Sequence, residues 1–288
     1  VAEAFKPSVR LRRVGRVLRQ WRERAGMKGK GLEVARSLGW SQAKLSRLEN
    51  ATQPINPVDV LALGLVYQIP EDERDALFLT TQNAQQRGWW EEYGCNALFD
   101  AAQDFVELES EASLLRSYKV DLVPGLLQTE EYATSLARAD VPAVSEETAR
   151  QRAAVRVTRQ KRLYDGKPLR VEAVVSESAL RQVVGGPRVM REQLERLITL
   201  AELPHVVIQI MPFDVGAYPA MGSTFDMLSF DQDHHDDVVY LESLTQGQYV
   251  EDPEVVSVFT LNFESMREVA LDEDASRKLI ADVAESLA

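Results

Sequence analysis

The sequence predicts an all-α N-terminal domain of five short helices, a helical connector, and an α+β C-terminal domain with a mainly antiparallel sheet. Three observations carry that expectation. Apolar residues recur at three- and four-residue steps up to about residue 85, broken by Gly, Asn and Pro. Short runs rich in β-branched and aromatic residues collect in the last third of the chain. Charge is split along the chain. Residues 1–53 hold thirteen Lys and Arg against four acids, a net of +9. The remainder holds twenty bases against forty-one acids, so the total of −12 is a sum of opposed parts. The expected boundaries are 1–85 for the first domain, 86–118 for the connector and 119–288 for the second domain.

In the first domain, Val9, Val14, Val17, Leu18 and Trp21 mark one helix face through Arg24, and Gly26 and Gly29 end it. A second helix runs from Leu32 to Leu38 and stops at Gly39. Ser41 then caps a third, Gln42 to Glu49, closed by Asn50. Asn56-Pro57 reads as a cap with proline at the first helical position of a fourth helix. Val58, Leu61, Leu65 and Val66 are its expected buried face. A fifth helix is expected from Glu71 to about Gln85, with Leu77 and Phe78 inward. Phe105 to Tyr118 reads as helical. Val123-Pro124-Gly125-Leu126-Leu127 reads as a turn, followed by helices at 128–138 and 148–164. Strands are expected at 169–176, 206–211, 224–230 and 238–243, with helices at 188–202, 255–270 and 276–287. Strands grouped in this way favour α+β over a regularly alternating parallel sheet.

Residues 31–49 place two short helices about a turn centred on Gly39, with Ala35 small at the crossing and Leu38, Leu45 and Leu48 as buried contacts. That is the layout of a helix-turn-helix, whose second helix enters the major groove. Its outward residues are expected to bind DNA: Ser41 at the cap, then Gln42, Ala43, Lys44, Ser46 and Arg47, with Lys30 nearby. Gln can pair with adenine, Lys or Arg with guanine, and Ala43 can touch a thymine methyl. The +9 charge on the same segment is an independent pointer to a polyanion. The half-site that one such helix reads is short, so a homodimer on an inverted repeat of double-stranded DNA is expected.

The string VARSLGWSQAKLSRLEN resembles the DNA-binding domain of the Cro and phage-repressor (xenobiotic-response-element) superfamily over residues 9–85. Two positions depart from that pattern. Gly31 stands where the family commonly has a phosphate-binding Gln, and Asn50 stands where a Gly commonly follows the glutamate. The later strings GWWEEY, VPGLLQTEEYA, RQKRL, SESALRQVVGG, VVIQIMPFDVGAY and SFDQDHHDDVVYLE extend the resemblance over most of the chain. In order and spacing they are similar to an actinobacterial regulator family with an antitoxin-like C-terminal domain. The resemblance implies a transcription regulator, with a small partner protein encoded by a neighbouring gene. It also implies an alternative, an antitoxin-like interaction protein that mainly neutralises that partner and only autoregulates its operon.

Nothing in the residues predicts an enzyme. Glu177, His234, His235, Asp236, Asp237 and Glu242 are the acid–base candidates. The adjacent histidines lack helical i, i+4 metal spacing and sit in a loop-like run. No phosphate-binding or dinucleotide fingerprint occurs, so no catalytic residue, metal or cofactor is expected. Lone Cys95 excludes an internal disulfide framework. Trp89, Trp90, Tyr93, Leu126, Leu127 and Phe213 are the candidates for binding a partner or ligand, because large apolar side chains dominate such contacts. The N-terminus lacks an apolar core and no run of 18 apolar residues occurs, which predicts a cytoplasmic chain without membrane contact.

Overall fold

The computed structural model describes residues 7–84, 100–140, 144–231, 236–243 and 246–287. The chain divides into two compact units, residues 1–88 and 89–288.

The described residues of the first unit form five helices: α1 Val9–Arg24, α2 Gly31–Ser37, α3 Gln42–Glu49, α4 Pro57–Val66 and α5 Glu71–Asn83. The breakers act as their chemistry requires. Gly26 and Gly29 take positive φ after α1, and Gly39 takes φ +68 between α2 and α3. Asn56 accepts the Val58 N–H at 2.9 Å, with Pro57 at the first turn of α4. Val14, Leu18 and Trp21 of α1 share one core with Val34, Ala35, Leu45, Leu48, Val60, Leu63 and Leu77.

One face is corrected. Val60, Leu63 and Gly64 of α4 are buried, whereas Val58 and Leu65 are 65% and 63% exposed. The helix is apolar nearly all round, so periodicity cannot choose a side, and packing against α5 and α1 does.

The second unit is α+β. Its six-stranded mixed sheet has the order β3-β2-β1-β4-β5-β6. The strands are β1 Leu114–Lys119, β2 Arg170–Ser176, β3 Val206–Met211, β4 Phe225–Ser229, β5 Val238–Glu242 and β6 Gly247–Val250. Three of the five pairings are antiparallel, and β1·β2 and β2·β3 are parallel. The sheet is therefore partly parallel, not only an antiparallel meander.

Its parallel half needs crossovers. Helices α7 Glu130–Arg138 and α8 Glu146–Arg159 connect β1 to β2. Helices α9 Glu177–Arg181 and α10 Pro187–Leu200 connect β2 to β3. Strand β2 is buried along most of its length, as a central parallel strand covered on both faces must be. The segment 105–118, expected to be helical throughout, ends its helix α6 (Asp100–Glu111) and becomes β1. Strand β6 was also not expected.

Tyr118, Val174, Met211, Phe225, Met227 and Val239 form a core with Val256, Phe263 and Met266 of α11 (Pro253–Val269). Helix α12 (Glu273–Glu285) packs on α10 and β3, and its Ser276 hydroxyl accepts the Ile210 N–H at 2.9 Å. The β1–β4 register is pinned inside the sheet. Asp226 accepts from the Ser117 hydroxyl at 2.5 Å and pairs with Lys119 Nζ at 2.8 Å. Among the described residues, no helix is long and apolar enough to cross a membrane.

Candidate nucleic-acid interface

The turn between α2 and α3 is closed by the Trp40 N–H, which donates to the Ala35 carbonyl at 2.8 Å. Ser41 caps α3 by accepting the Lys44 N–H at 3.2 Å. Leu45 and Leu48 point into the core, and Ala35 of α2 is fully buried where the helices meet. The same periodicity turns Ser41, Gln42, Ala43, Ser46 and Arg47 outward, and all five are exposed, as is Lys30 before α2. The structure thus brings the predicted contact residues of α3 onto one exposed surface, with one qualification at Lys44.

Lys44 is only partly exposed. Its Nζ lies 2.9 Å from Asp59 Oδ1 on α4 and 3.7 Å from the centroid of the Trp40 ring. Arg47 is also engaged, donating from Nε to Gln53 Oε1 at 2.7 Å, but this contact is at the surface.

Helix α3 is held from behind by a buried ion pair. Arg22 of α1 grips Glu49 in a fork, Nε to Oε1 at 2.6 Å and Nη2 to Oε2 at 2.8 Å. A third bond runs from Arg22 Nη1 to the Met27 carbonyl at 3.2 Å, which fixes the loop after α1. The hydrogen bond to Glu49 raises the Arg22 pKa further above its ordinary value, against the opposing effect of burial. Arg19 donates to Asn50 Oδ1 at 2.6 Å, and Asn50 in turn donates to the Ser46 carbonyl at 2.7 Å. Asn50 therefore acts as a polar end-stop for α3. Close approach of the backbones completes the clamp: a Cβ on Gly15 of α1 would lie 2.8 Å from the Leu48 carbonyl oxygen.

An open cleft of about 390 Å³ lies between α1, the following loop and α3. Arg19, Arg22, Lys28, Gln42, Ser46 and Asn50 are among its lining residues. The sequence reading placed Arg19 and Arg22 among the helix cations that meet phosphates, and Lys28, with Lys30, as an electrostatic replacement for the missing Gln at Gly31. Their convergence on α3 depends on how α1 crosses it, which no local pattern encodes.

The candidates in the second unit fare differently. Trp89, Trp90 and Tyr93 lie outside the described residues, as do Cys95, His234 and His235. Leu126 and Leu127 sit in a short 3-10 turn and are buried. That turn is stitched by buried amides. Gln128 donates to the Val123 carbonyl at 2.8 Å, and Gln193 donates to Leu127 and accepts from the Thr129 N–H. Phe213 is 61% exposed. Glu177, the carboxylate weighed for acid–base chemistry, accepts from Arg181 Nε at 2.7 Å and from the Phe213 N–H at 2.9 Å. Both of its oxygens thus hold local structure.

Residues 13–77 match the family model described as a helix-turn-helix domain. That match suggests DNA binding and covers the helices whose geometry is given above. Residues 102–282 match the model described as a domain of unknown function, DUF5753. No curated protein and no solved structure matches the chain. The second match covers more than half of the chain, which therefore belongs to the DUF5753 family, with a helix-turn-helix domain ahead of that region.

Proposed function

We propose that this protein is a sequence-specific DNA-binding transcription regulator. The observation that carries the reading is the division of α3 into two faces. Leu45, Leu48 and Glu49 are committed inward, and Gln42, Ala43, Ser46 and Arg47 are exposed together, beside a cleft lined by Arg19, Arg22 and Lys28 as well as Glu23 and Glu49. In this reading α3 enters the major groove. Gln42 and Arg47 are the hydrogen-bonding base readers, Ala43 meets a thymine methyl, and Ser41, Lys30, Arg19 and Lys28 approach the backbone. Two copies bind an inverted repeat with half-sites about one helical turn apart.

The second unit is proposed to be a binding module for a small partner protein or ligand, not an enzyme. The commitment of Glu177 to Arg181 and Phe213 supports this, and among the described candidates Phe213 is the exposed apolar one. The test is selection of genomic fragments bound by the full chain, followed by titration of the selected site with Gln42→Ala and Arg47→Ala. Loss of discrimination at separate base positions is expected. Selection of no common sequence refutes the reading.

A further inference from the structure

Lys44 occupies the third position of α3, where sequence logic gives it to a base or a phosphate. The structure gives its charge to the protein. Its ammonium rests on the Trp40 ring at 3.7 Å and bonds to Asp59 Oδ1 at 2.9 Å, and the two partners flank it from the turn and from α4. Asp59 is itself well placed, in the first turn of α4 behind the Asn56 cap, where a negative charge is favoured. Both groups are largely covered, with side-chain exposures of 30% for Lys44 and 19% for Asp59.

A phosphate taking Lys44 would leave the Asp59 carboxylate uncompensated beside a polyanion. We propose that Asp59 is a positioning residue that withholds Lys44 from DNA, leaving Gln42, Ala43, Ser46 and Arg47 as the reading face. The pair thus lowers indiscriminate affinity and fixes which residues of α3 contribute to specificity. This rests on the DNA-binding reading above.

The experiment measures binding of a labelled short duplex of arbitrary sequence, and of the selected site, across a range of salt. Each neutralised phosphate contributes about 0.9 to the slope of log affinity against log salt. Lys44→Gln and the uncharged, stem-preserving Lys44→Met leave the Asp59 carboxylate uncompensated and are expected to lower affinity for the arbitrary duplex. Asp59→Asn is expected to steepen it by about 0.9 and to raise affinity for the arbitrary duplex several-fold. Combining Asp59→Asn with Lys44→Gln is expected to abolish that gain. A structural role alone would move thermal midpoints without moving the slope.

An unmoved slope in Asp59→Asn overturns the proposal, and so do two further results. One is a slope about 0.9 below the parental value in the variant that combines Asp59→Asn with Lys44→Gln, which would mean that Lys44 already pairs a phosphate. The other is an equal gain from Asp59→Asn with or without Lys44, which would reduce the effect to removal of a repulsive charge. Failure of the DNA-binding reading looks different: the parent itself then shows no salt-dependent affinity, and Arg47→Ala changes nothing.

Discussion

Arg22 and Glu49 do at residue scale what the hydrophobic core cannot: they fix the rotation of α3 about its axis. The carboxylate side chain is 6% exposed and the guanidinium 11%, so removing one partner strands a buried charge. Glu49→Ala leaves Arg22 beside the open cleft and is expected to cost about 1.5–3 kcal/mol in urea unfolding, the worth of hydrogen bonds to a charged group. Arg47→Ala, at the surface of the same helix, is expected to leave stability unchanged and to weaken specific binding by about 1–3 kcal/mol. The tyrosines make a pH prediction. Burial pushes the Tyr67, Tyr118 and Tyr240 hydroxyls above the ordinary value. Glu49 adds to the shift at Tyr67, the Tyr218 hydroxyl at Tyr118 and Glu242 at Tyr240. The folded values exceed the unfolded one of about 10, so the contribution is intact below pH ~10 and lost progressively above it. Unfolding free energy measured from pH 8 upward is expected to fall from about pH 10 onward. The outward set on α3 was legible in the sequence, because Leu45 and Leu48 set the phase of a short helix. The Lys44–Asp59 contact was not, since ion pairs between separate helices follow no period.

At the scale of elements, the crossing of α1 over α3 depends on having no side chain at Gly15. A methyl there meets carbonyl oxygens of Leu48 and Glu49 at 2.8 and 2.9 Å, and backbone cannot rotate away as a side chain can. Gly15→Ala is expected to cost about 1–3 kcal/mol by overpacking and to weaken DNA binding by displacing α3. Ser41→Ala removes the α3 cap and is expected to cost about 1 kcal/mol in thermal or urea unfolding. Caps and stops were the most readable elements, because Ser41, Asn56, Gly26 and Gly39 act on their immediate neighbours. Faces and strands of ambiguous pattern were less so. Helix α4 offered apolar residues on every side, and β1 looked like a continuation of α6. Strand β1 owes its conformation to β2 and β4, whose partner residues lie 56 or more positions away in sequence. The mainly antiparallel character of the sheet was legible, but which strands pair in parallel was not, since parallel pairing is a property of crossovers and not of the strands' own residues.

At the scale of the whole molecule, the net charge describes neither unit. Residues 1–88 carry fifteen bases and nine acids, and residues 89–288 carry eighteen bases and thirty-six acids. Tethering a body of −18 to a module of +6 opposes accumulation on any polyanion. A fragment of residues 1–88 is therefore expected to bind an arbitrary duplex more tightly than the full chain at low salt. The difference is expected to shrink as screening rises, which anisotropy titrations at several ionic strengths would measure. The sheet order also has a consequence in time. Leu114 of β1 pairs with Ser229 of β4, so a ribosome must add more than a hundred further residues before that edge of β1 is covered. At about 5–20 residues per second that interval is on the order of ten seconds, whereas the five-helix unit is complete beforehand and depends on short-range contacts. The nascent protein is a cation before it is an anion. Throughout that interval the emerging chain carries a folded basic head and an open strand edge, the state in which premature termination would leave it.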